Sequence, residues 1–183
     1  MPQPMTSIEP LTRLQDLPFV PYLDAQGHLP EEFQGQVGVY AIFDQTQALQ
    51  FIGYSRDVAL SLRQHLVRQP TLCHWLKVHT IDRPSRSLLE ATREAWIVDH
   101  GDLPPGNQPS NETWTQPIDA KSSMSPEEQQ RYQAGDSLDQ VKLLKQIARR
   151  VEADIFAKLE ARGFQEAVRF NPKLKEQGLL DLK

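Results

Sequence analysis

The sequence predicts an α/β fold: a small sandwich whose three-stranded, mostly antiparallel sheet is flanked by helices, plus a long C-terminal amphipathic helix. Three observations carry this. Residues 37–43 alternate between two apolar rows, and residues 48–53 return in the same style after the polar turn "DQTQ". From Ser137 onward the apolar spacing lengthens from two residues to three or four.

Taken in order, residues 1–34 hold prolines at positions 2, 4, 10, 18, 21 and 30 and keep no period, which predicts an irregular arm with one apolar anchor, "LPFVPYL". In "VGVYAIF", both rows are apolar, so this strand is expected to be covered on both faces. "ALQFIG" is its hairpin partner. Ser55 or Asp57 can cap a helix over about 57–68, stopped by Pro70, with Val58, Leu62 and Leu66 inward. "HWLKVHTID" is a third strand. Ser85 or Ser87 starts a second helix, ended by Gly101, whose buried side draws on Leu88, Leu89, Ala95, Trp96, Ile97 and Val98. A proline-fixed loop, "DLPPGNQPSN", follows, and "ETW" is expected as a short edge strand. Residues 35–115 thus form one α/β domain. Residues 116–136 are polar and are expected as a linker.

In the extension, 137–183, Leu138, Val141, Leu144, Ala148, Val151, Ile155 and Leu159 form one helical stripe ending at Gly163. The tail after Gly163 is expected as a short helical continuation. A stripe of this length must be buried, against the chain's own domain or against a protein partner docked on helix 137–162.

Totals exclude several function classes. No run approaches a membrane span. The N-terminus lacks a basic start followed by an apolar core, so secretion is not expected. The single cysteine, Cys73, rules out an intramolecular disulfide and a cysteine-built metal site, and suits a reducing cytoplasmic compartment. Net charge is −4 and the pI is about 5.7, the wrong sign for an obvious nucleic-acid binder. Basic residues nevertheless gather over 53–94, among them Arg56, Arg63 and Arg68, which are the candidate contacts to DNA or RNA.

One stretch carries more than packing. "GVY" at 38–40, ten residues, then "FIG" at 51–53, a helix "SRDVALSLRQHL", an acidic helix "LLEATREAWIV" and "PPGN" resemble, in order, the GIY-YIG nuclease superfamily over about 35–114. The resemblance implies a phosphodiesterase site in which Glu94 binds one divalent cation, usually magnesium. Asn107 closes the site, Tyr40 orients water, and His65 donates to a phosphate or acts as a base. Such a reaction needs a nucleophilic water, neutralisation of phosphate oxygens and a stabilised leaving oxygen. A narrower similarity joins "FIGYSRDVALSLRQHL", "LCHWLKV" and "PPGN" to the domain fused ahead of monothiol glutaredoxins in plant plastids and to stand-alone proteins of photosynthetic bacteria. Cys73 is followed by "HWL", so no glutaredoxin site is present.

Two positions depart from the pattern. The second-strand tyrosine is Phe51, which keeps the ring and loses the hydroxyl. The position of the family's arginine is Ser61, which brings no cation. Arg63 lies about 200° round the helix from Ser61, and Arg68 starts roughly 10 Å farther along on the same face, a poor replacement. Losing such a cation costs orders of magnitude in rate. The expectation is a nuclease-like module, weak or inactive as an enzyme and retained for nucleic-acid or protein binding. The alternative is an active magnesium-dependent DNA or RNA endonuclease using Tyr40, His65 and Glu94. Plainer readings stand beside these: an Arg93–Glu94 ion pair on a helix surface, Asn107 as a loop brace, and Cys73 as a small buried hydrophobe.

Overall fold

The computed structural model describes residues 10–183, so the first nine residues of the expected arm lie outside the described residues. After a 3-10 turn at Leu14–Asp16, the arm contributes a two-residue strand, β1 (Val20–Pro21). The hairpin is β2 (Val37–Phe43) and β3 (Leu49–Ser55). It is followed by α1 (Val58–Arg68), β4 (Trp75–Ile81) and α2 (Arg86–His100). Asp57 caps α1 by accepting from the Leu60 amide, and Ser85 caps α2 by accepting from Leu88.

The sheet is antiparallel throughout, in the order β1-β4-β2-β3. It therefore has four strands rather than three. The arm adds β1 along the outer edge of β4, with Val20 opposite Leu76 and Pro21 opposite Trp75. Proline is tolerated there because an outer edge needs no donor. The anchor continues inward: Tyr22 is fully buried and donates its hydroxyl to the Leu62 carbonyl.

β2 is central and buried on both sides. Tyr40 and Ile42 face a core shared with Leu62 and Leu66 of α1, whereas Val39, Ala41 and Phe43 face Leu89 and Trp96 of α2. Helices on both faces follow from this apolar alternation.

Three expectations for the rest of the chain are corrected. "ETW" is a 3-10 turn, Glu112–Trp114, because Trp114 turns inward and stacks on Phe51. Residues 116–136 are folded, not a linker: β5 (Ile118–Asp119), a 3-10 turn at Ala120–Ser123, and α3 (Pro126–Ala134). Few apolar residues suffice there because polar contacts hold it. Ser125 and Glu128 form a reciprocal capping box, and Glu128 also takes both terminal nitrogens of Arg150, at 2.6 and 3.0 Å. The tail does not extend the helix. Past α4 (Ser137–Ala161), Gly163 adopts φ +73° and the chain returns through α5 (Pro172–Lys175) to β6 (Leu179–Leu180), paired with β5.

The stripe of α4 is buried within the chain itself. Leu143, Leu144, Ile147, Ala148, Ile155 and Leu159 are covered, most of them in the α1-side core, while Leu138 is 69% exposed. The stripe thus has no need of a partner's surface. Arg162, at the helix end, donates to the carbonyls of Pro70 and Cys73, both at 2.6 Å. It fixes the extension to the turn between α1 and β4.

Because one core joins α4 to the sheet, Ile147→Ala is expected to destabilise the whole chain by about 2–5 kcal/mol. Urea unfolding followed by tryptophan fluorescence, which reports Trp75, Trp96 and Trp114 in the sheet layers, should shift together with the helical circular dichroism. A shift confined to the dichroism would mean that the extension folds on its own.

Candidate functional site

β2 and β3 pair with Tyr40 opposite Gly53. A Cβ at Gly53 would stand 2.7 Å from the Tyr40 hydroxyl oxygen and 2.6 Å from the Phe51 ring, so glycine is what lets the phenol lie across the hairpin. There the Tyr40 hydroxyl meets His65 Nε2 at 2.8 Å, with Tyr40 3% and His65 4% exposed. The Phe51 ring lies 4.6 Å from the imidazole and is stacked on Trp114 with an interplanar angle of 1°. Phe51 thus stands in an aromatic box, where an unpaired hydroxyl would be costly.

This box forms one wall of a cavity of about 680 Å³ whose lining includes Tyr40, Ser61, His65, Arg68, Arg93 and Asn107. Burial, with the charge of Arg68 adding to it, pushes the His65 pKa down to about 3. A contact from the Trp114 backbone opposes the shift without closing a hydrogen bond of ordinary geometry, and Nδ1 is buried unpartnered. Burial pushes the Tyr40 phenol in the opposite direction, above its usual range, against smaller effects of Ser61 and Arg68. At neutral pH the pair is therefore a neutral imidazole and a protonated phenol. Neither is tuned as a general base.

The cations are arranged unlike the expectation. Ser61 donates its hydroxyl to Ser55 Oγ at 2.8 Å. Arg68, which the sequence placed too far along α1, does line the cavity, because the cavity runs the length of that helix face to its last turn. Arg63 instead pairs with Glu166 at 3.1 Å, and Arg56 lies beside Tyr54 and Arg86 in a separate hollow. The three arginines named from the sequence do not share one surface.

Glu94 is not among the lining residues. With Leu89 of the buried stripe at 0°, Arg93 falls at about 40° and Glu94 at about 140°. Arg93 accordingly faces the cavity with its guanidinium 5.3 Å from the Tyr54 ring centroid, while Glu94, 61% exposed, accepts from Arg93 at 2.8 Å. Glu90 accepts from the Tyr54 hydroxyl and from Arg86. Among the described residues, no group of three or more His, Cys, Asp or Glu side chains is placed to hold a metal ion. α2 turns a guanidinium rather than the Glu94 carboxylate to the cavity, and the one lining carboxylate among the described residues, Glu112, is exposed, so these residues do not fit magnesium. Arg93 and Tyr54 are the cavity residues that the sequence reading missed. The phase of Leu89, Thr92 and Trp96 on α2 was the signal for Arg93.

Asn107 enters the cavity region in a structural role. From the 3-10 turn Pro105–Asn107 its side-chain amide accepts from the Ile52 N–H and donates to the Ile52 carbonyl, both at 2.8 Å. It completes β3 as a neighbouring strand would. Cys73 is fully buried, with its thiol pushed up to about 12 by burial, and so is protonated and unreactive at neutral pH.

No protein-family model matches the chain. The chain is 38% identical over 90 residues to a bifunctional monothiol glutaredoxin-S16, chloroplastic, from Arabidopsis thaliana. The match covers 47% of this chain and 31% of that relative, so the chain spans about a third of the protein it matches. No helix among the described residues is long and apolar enough to cross a membrane.

Two outcomes follow from this geometry. Asn107→Ala strips both partners from Ile52 and is expected to cost about 1–3 kcal/mol in denaturant unfolding, with the fold retained. The stability gained by keeping His65 neutral is complete above pH 6.5 and is lost as the pH falls toward 3, because only the unfolded chain takes up that proton in between. Between about pH 4.5 and 6.5, His65→Gln should reduce the acid slope of stability by roughly 1.4 kcal/mol per pH unit. His74, also shifted downward, contributes equally to both proteins in that window. Equal slopes would refute the buried neutral imidazole.

Proposed function

We propose that the chain is a degenerate member of the GIY-YIG nuclease superfamily whose cavity holds nucleic-acid phosphate without hydrolysing it. The observation that carries this reading is Arg93. α2 presents a cation to the cavity where hydrolysis would require a carboxylate to hold the metal. Arg68 of α1 adds a second guanidinium to the same cavity, and Tyr40, in its hydrogen bond to a neutral imidazole, is not poised to activate water. Arginine suits phosphate because its planar fork donates to two oxygens at once.

The similarity to the plant relative supports a shared domain. The thiol chemistry in that relative's name is not carried over, since Cys73 is sealed in the core. The unpaired Cys73 also suits a reducing cytoplasmic compartment.

Supercoiled plasmid and single-stranded oligonucleotide incubated with magnesium or manganese should remain uncut. Oligonucleotide binding should weaken with added salt and fall about three- to tenfold in Arg93→Ala. Metal-dependent cleavage that disappears in Glu94→Ala would restore the endonuclease reading and reject this one.

A further inference from the structure

Arg68 is the more enclosed of the two cavity arginines, its side chain 9% exposed at the last turn of α1. Nη1 donates to the Trp114 carbonyl at 3.1 Å, Nη2 donates to the Asp181 carboxylate at 3.2 Å, and Nε is buried without a partner. A guanidinium taken this far from water requires a counter-anion. Among the described residues, Asp181 is its one ion-pair partner.

The position of Asp181 does not depend on Arg68. Leu180 before it is fully buried and paired with Ile118 across β5 and β6. The Asp181 carbonyl accepts from the Asn171 amide at 2.9 Å, and its carboxylate accepts from the Leu182 amide at 3.1 Å. The C-terminal extension thus presents a carboxylate behind the cavity wall by its own folding, within reach of the lining residue Arg68, and α1 brings a long cation to meet it. A carboxylate on a guanidinium occupies the same donors that a phosphate would use.

We propose that Asp181 is a built-in competitor for the ligand's phosphate. Arg68 exchanges between the tail carboxylate and an incoming phosphate, so the extension sets the affinity of the site. The inference rests on the reading of the cavity as a phosphate site.

The test is a single-stranded oligonucleotide, titrated at several salt concentrations into the full chain and three variants. Asp181→Asn, which keeps the acceptor for Leu182, should bind about tenfold more tightly, with a salt dependence steeper by about 0.7 because one further cation now meets a phosphate. Arg68→Gln should weaken wild-type binding, and in the Asp181→Asn background it should remove the whole gain, so that the double variant binds no more tightly than Arg68→Gln alone. Such non-additivity is not expected of a merely structural pair. Affinity that is unchanged or lower in Asp181→Asn overturns the inference and leaves the phosphate reading standing. Absence of binding by wild type and Asp181→Asn alike, at low salt, overturns both. Should Asp181→Asn fail to fold, the Arg68 Nε–H resonance of the wild-type chain, followed during the titration, tests the same exchange. Movement supports it, and a fixed resonance refutes it.

Discussion

The structure depends on one strand that cannot face water. β2 alternates Tyr40 and Ile42 with Val39, Ala41 and Phe43, and every one of these side chains is buried. Each face therefore needs its own cover. α1 and α4 supply one, α2 the other. The hydrophobic effect thereby decides where polar chemistry can sit: at the margin of the α1 face, where Tyr40 reaches past Gly53 toward His65. The site is a consequence of that packing, not an addition to it.

That origin explains its character. Groups drawn from a core wall are dry, and dryness favours neutral forms: a protonated phenol and an uncharged imidazole. Positive charge enters from two long side chains, Arg68 from the end of α1 and Arg93 from α2, each paired with a carboxylate outside the lining, while the exposed Glu112 adds one negative charge to the lining itself. A wall of this kind offers hydrogen-bond donors rather than a charged base. Among the described residues its one lining carboxylate, Glu112, is exposed, and no second carboxylate joins it to gather a magnesium ion.

Much of this was legible from residue pattern. The alternation of β2, the caps at Asp57 and Ser85, and the stop at Gly101 each rest on local physics that tertiary packing did not override. Tyr40 and His65, which the resemblance put in one site, do meet across the hairpin and α1, their side chains 2.8 Å apart. Glu94 lies one residue beyond the cavity-lining Arg93, which on a helix is 100° and the difference between a cavity and open water. The apolar phase of α2 would have resolved it, whereas spacing along the chain did not. Residues 116–136 read as a linker because composition hides a fold held by a capping box and by Arg150. The Ser125-Pro-Glu-Glu128 signature was nonetheless in view. Arg68 required the shape of the cavity, which no local period contains.

Asn107 has a wider consequence. β3 is an outer strand, and a row of open amides and carbonyls along such a strand invites a second chain to add to the sheet. By pairing with both backbone groups of Ile52 at mid-strand, one side-chain amide, delivered on a proline-stiffened loop, occupies the groups that a recruit would need first. The same residue that borders the cavity is therefore a guard against edge-to-edge aggregation, protecting the molecule's solubility as well as its shape.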